Sequence, residues 1–119
     1  MSLNEDLESL KKATKELQTF YQKVDKEIGD LEEAIRYINP GVAASVDTDE
    51  SFSIGWSFDS NRGWRITFLQ SGYNETNLLS KDELTKIRAI RHLPKLVKQL
   101  TANVKLRLLE AVNCLQGLL

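Results

Sequence analysis

The sequence predicts an α+β fold: a long N-terminal coiled-coil-like helix, a central antiparallel β-hairpin with a candidate third strand, and C-terminal helices that kink or break at Pro94. Three observations predict it. Apolar residues recur every three or four positions from Leu3 to Ile38, alternate from Phe52 to Phe68, and return to the helical period after Ser80. At 119 residues, 41% hydrophobic and 28% charged, the chain is expected to form one domain, divided into a helix at 3–38, a hairpin or small meander at 42–70 and a helical region at 80–118.

The first element rests on Leu3, Leu7, Leu10, Thr14, Leu17, Tyr21, Val24, Ile28, Leu31, Ile35 and Ile38, which return to one helix face for five heptads. Such a rod is roughly 50 Å long at 1.5 Å per residue, more than a chain of this size covers by itself. Asn39-Pro40-Gly41 ends it, since proline disfavours helix for the residue before it and glycine frees the turn. Thr14 and Tyr21 at core positions disfavour a tight parallel zipper, and Ala13, Phe20 and Ala34 widen the stripe to the breadth of a bundle helix. Leu7, Leu10, Leu17, Tyr21, Val24, Ile28, Leu31 and Ile35 are therefore expected at an interface between copies of the chain, a homodimer or larger.

In the second element Phe52, Ile54, Trp56 and Phe58 point one way, and after Asp59-Ser60-Asn61-Arg62-Gly63 the alternation resumes at Trp64, Ile66 and Phe68. Symmetric closure through that turn pairs Phe58 with Trp64, Trp56 with Ile66 and Ile54 with Phe68, with every large side chain on one face that is expected to form the core. The other face carries Ser53, Gly55, Ser57, Arg65, Thr67 and Leu69. Residues 42–48 are the candidate third strand.

In the third element Ser80-Lys81-Asp82-Glu83 reads as a capping box, with Leu79 and Leu84 as its hydrophobic staple. Pro94 interrupts the helix that starts there. From Lys95 onward one stripe runs through Leu96, Leu100, Val104, Leu108, Ala111, Leu115 and Leu118, and a second begins at Leu106, Leu109 and Val112, so burial on two sides is expected.

The order of elements resembles that of beta-type prefoldin subunits, in which two coiled-coil helices flank a hairpin; the likeness is one of architecture and length, without a shared motif. It implies a chaperone as the third and weakest functional expectation.

Charge is distributed unevenly. Residues 1–50 hold six Lys or Arg against twelve Asp or Glu, and residues 51–119 hold ten against five. Lys86, Arg88, Arg91, Lys95, Lys98, Lys105 and Arg107 fall within a stretch that has no acid. Such a face meets acidic groups, nucleic acid or water. Arg62, Arg65, Arg88, Arg91, Lys95 and Lys98 are the candidate surface for an unidentified protein partner or, as the alternative, for nucleic acid.

Little points to chemistry. His92 and Cys114 are single and lie far apart, and Cys114, beside Ala111 and Leu115, reads as a core thiol. Asp47, Asp49 and Glu50 lack the glycine and distal glutamate of a calcium loop and read as a solvated loop, while His92 reads as a helix-end residue. No catalytic residue, cofactor or metal is expected. One cysteine, the lack of a signal-like start and the lack of an apolar run near 18 residues favour a cytoplasmic protein without membrane contact. Asn74-Glu75-Thr76 reads as a loop. The functional expectation is a non-enzymatic homo-oligomeric interaction module.

Overall fold

The computed structural model describes residues 2–118. The chain runs from helix α1 (Leu3–Ile38) through strands β1 (Ala44–Asp47), β2 (Phe52–Asp59), β3 (Gly63–Gln70) and β4 (Thr76–Asn77) and a 3₁₀ turn at Leu78–Ser80. It ends in helices α2 (Glu83–Ile90) and α3 (Leu93–Leu118). The four strands form one antiparallel meander in sequence order. The α+β class and the hairpin flanked by helices are thus present in the molecule.

Local chemistry sets the ends of α1. The Ser2 hydroxyl accepts the Glu5 N–H at 3.2 Å, and Glu5 and Asp6 place negative charge at the positive end of the helix. At the other end Asn39 adopts φ 54°, its N–H donating to the Ile35 carbonyl at 2.9 Å, and Gly41 comes next but one at φ 71°.

The hairpin closes in the register that the alternation predicts: Phe58 faces Trp64, Trp56 faces Ile66 and Ile54 faces Phe68. In its turn the Asp59 carboxylate accepts the Asn61 N–H at 2.8 Å, and Gly63 supplies φ 77°. The candidate third strand is β1, which pairs Ala44 with Trp56 and Val46 with Ile54. A fourth, two-residue strand starts at Thr76, at the end of the sequence read as a loop.

Ile54, Trp56, Ile66 and Phe68 form the buried face of the sheet. Helix α3 covers it across β1 and β2, and α1 runs along β3. Trp56, 1% exposed, lies nearly parallel to Trp64 with ring centroids 6.0 Å apart. At Gly55, on the reverse face, a Cβ would stand 3.0 Å from both the Ala44 carbonyl and the Thr67 hydroxyl, so any side chain there would have to push these neighbours aside.

Four expectations need correction. Phe58 does not join the core; it is 62% exposed near the hairpin tip, edge-on to Trp64. Helix α2 begins at Glu83 rather than Ser80. Leu78 is drawn into the core, and the chain makes a 3₁₀ turn in which the Ser80 hydroxyl donates to the Asn77 carbonyl instead of capping a helix. Asp82 takes the cap position, its carboxylate accepting the Thr85 hydroxyl, and Leu84 stays exposed. Finally, α3 is not buried on two sides, and Cys114 is exposed, because the sheet ends near Leu100. Pro94 splits the region into two helices, sitting in the first turn of α3, where its missing N–H has no bond to lose.

The buried apolar residues all lie between Val24 and Leu100. One groove joins Glu27 and Leu31 of α1 to Leu93, Pro94 and Val97 of α3, and the next joins Ile35 and Ile38 to Leu100, Val104 and Lys105. Residue numbers rise together along both helices, which therefore run parallel with a stagger. Helices of roughly 54 and 39 Å, overlapping by about 18 Å at 1.5 Å per residue, account for most of the 83 Å length of the molecule. Each helix projects past the body, α1 at one end and α3 at the other.

Candidate functional site

The two projecting arms carry the largest unmatched apolar surface. In α1 the seam splits. Val24, Ile28 and Ile35 are buried in the chain's own core and Leu31 packs against it, whereas Leu7, Leu10 and Leu17 are exposed and Tyr21 is half-buried. Phe20 joins the exposed set. In α3 the buried stripe of Leu93, Leu96 and Leu100 continues into exposed Val104, Leu108, Leu115 and Leu118. Nothing in the sequence marks where burial stops, since the pattern is the same on both sides of the boundary.

The basic residues are divided by their surroundings. Arg65 reaches Glu32 of α1 at 3.3 Å, and that carboxylate, 1% exposed, also accepts the Ile66 N–H at 3.0 Å. Arg36, one turn along α1, donates to the Trp64 carbonyl at 3.3 Å. The Ile66 N–H and Trp64 carbonyl line the part of the β3 edge that β4 leaves open, so two side chains stand in for a fifth strand. Arg65 is consequently a structural group, not a free contact on the reverse face of the sheet.

A second cluster ties α2 to the loop before β2. Arg91 lies 3.4 Å from both Asp49 and Glu50, Arg88 lies 4.0 Å from Glu50, and His92 Nε2 lies 3.3 Å from Glu50. His92 is buried, its ring edge-on to Phe52 with centroids 5.8 Å apart. The loop read as solvated thus holds the junction of α2 and α3. Asp49, Glu50 and His92 each present one ligand atom within 4.8 Å of the others, the set among the described residues that could hold a cation. Arg91 already sits between its two carboxylates.

Lys86 joins α2 to α1, its ammonium 2.5 Å from Asp25 and 3.3 Å from Glu83. Burial pulls its pKa down, but hydrogen bonds and charge from Asp25 and Glu83 outweigh it and hold the group above its ordinary 10.5. Among the six candidate surface residues, Arg62, Lys95 and Lys98 are exposed and form no ion pair among the described residues. Arg62 is at the hairpin turn and the two lysines are on α3, so the six do not form one patch.

His92 precedes α3 and Cys114 lies near its far end, roughly 33 Å away at 1.5 Å per residue, so they cannot act on one substrate atom. No described helix is long and apolar enough to cross a membrane. Compared with protein-family models, curated proteins and solved structures, the chain gives no match.

Proposed function

We propose that the protein is a non-enzymatic homo-oligomeric interaction module, adaptor or structural in kind, that assembles through the N-terminal arm of α1. The observation that carries this is the split seam: Leu10, Leu17 and Phe20 are exposed on the helix face that buries Val24, Ile28 and Ile35 further along. A stripe of this length left in water is the signature of a surface that meets another chain. Its partner surface for a different, acidic protein is formed by Arg62 or by Lys95 and Lys98, those of the six candidate bases that no carboxylate meets among the described residues.

Light scattering at micromolar concentration tests the assembly. A dimer or larger species is expected, and Leu10→Glu with Leu17→Glu should give a folded monomer whose melting no longer depends on concentration. A monomeric wild-type chain overturns the reading. The alternative, nucleic-acid binding, is less well supported because Arg65, Arg88 and Arg91 already meet carboxylates. It requires binding of single strands that weakens steeply with salt.

A further inference from the structure

The two arms are not equivalent ends. They are the unused halves of one helix pair. Inside the body, α1 and α3 run parallel on either side of shared grooves, Glu27 and Leu93 lining one and Ile38 and Lys105 the next. Helix α1 then stops, and the same face of α3 continues uncovered through Leu108, Leu115 and Leu118. At the opposite end α3 has not yet begun, and the same face of α1 is uncovered at Leu10 and Leu17. Outside the shared stretch α1 overhangs over 3–26 and α3 over 106–118, roughly 36 and 20 Å at 1.5 Å per residue.

We infer that copies of the chain join head to tail, the α3 arm of one lying parallel beside the α1 arm of the next, so that the parallel run of the two helices within each body is repeated between bodies. This rests on the proposed self-association through α1 and names the surface that α1 meets. Three observations favour that occupant. The overhangs point outward from opposite ends, so one contact covers the whole α3 arm and about half of the α1 arm, whereas pairing two α1 arms leaves every α3 arm bare. The face required is the one each helix already uses in its own body. The charges at the joint also match. Helix α1 opens with Glu5, Asp6 and Glu8 and no base before Lys11, while α3 has Lys105 and Arg107 and no acid between Thr101 and Leu109. With the next α1 starting where the last one ends, at Ile38 beside Lys105, these two segments lie together.

A contact between unlike surfaces leaves a free arm at each end, so the assembly grows as an open series rather than closing at two. Two full-length variants test this. The first, Leu10→Glu with Leu17→Glu, disables the α1 arm; the second, Leu108→Glu with Leu115→Glu, disables the α3 arm. All four positions are exposed, and far-UV circular dichroism checks that both variants fold. In sedimentation velocity the wild type should show species beyond a dimer that grow with concentration. Each variant alone should be monomeric, and an equimolar mixture should give a dimer containing one chain of each. A dimeric α3-arm variant would overturn the inference and leave the proposed function standing, because α1 would then be meeting α1. A wild type that stops at two copies, or a mixture that stays monomeric, also overturns it. A monomeric wild type overturns both.

Discussion

The Glu32 carboxylate accepts the backbone N–H of Ile66 at 3.0 Å, so one side chain of α1 completes the hydrogen bonding of a strand edge 34 residues away. It fixes the roll of α1 against the sheet, and with it the direction in which the exposed face of the α1 arm points. Glu32→Ala leaves that N–H and Arg65 without their acceptor. The expected loss is about 3 kcal/mol, within the range for breaking a buried charged pair. Glu32→Gln keeps an acceptor for Ile66 and should lose about half as much. Urea unfolding measures both.

The hairpin aromatics should separate by depth. Trp56→Ala opens a cavity under both helices and should cost about 4 kcal/mol, whereas Phe58→Ala, at an exposed position, should stay within about 1 kcal/mol of wild type. Equal losses at the two sites would refute the placement of the tryptophan inside and the phenylalanine outside.

Two glycines should respond with opposite sign. Gly55→Ala forces a methyl group to within 3.0 Å of the Ala44 carbonyl and the Thr67 hydroxyl, and overpacking of this kind should destabilise by about 2 kcal/mol. Gly29→Ala, in the middle of α1 with nothing within 4 Å, should stabilise by about 1 kcal/mol through helix propensity alone. Thermal melting of the two variants reads the difference directly.

Lys86 makes stability sensitive to alkali. Its pKa is raised on folding, so its contribution is complete below the unfolded value near 10.5 and fades as pH climbs through the higher folded value. Lys86→Met should therefore be less stable than wild type at pH 7, by about 1 kcal/mol for its lost charged hydrogen bonds. That gap should narrow above pH 10.5. A gap that is constant across this range would assign the effect to packing instead.

Legibility in the sequence depends on which interactions are local. The hairpin register is legible because turn length and a period of two leave one symmetric pairing, and Asn39-Pro40-Gly41 is legible because it stops a helix by backbone chemistry alone. Glu32 is not, since a glutamate one position after Leu31 looks like any solvated helix residue until the open edge of β3 is brought beside it. The pairing of His92 with Glu50 is hidden for the same reason, their meeting depending on how α2 turns back toward the loop before β2. Cys114 is misread as a core thiol because a helical stripe reports that a face is apolar without reporting what lies against it. For the candidate surfaces, the residue types are legible and their division into used and unused halves is not.

The parallel stagger of α1 and α3 also has a mechanical consequence. It puts the described ends at opposite extremes of an 83 Å molecule, a span that would take about 24 residues of extended linker to bridge. Cargo fused to the two ends would be held far apart, with the body as a spacer. Tension drawn between those ends would slide α1 along β3 and α2, loading their contacts in shear, so that they resist together instead of parting one after another.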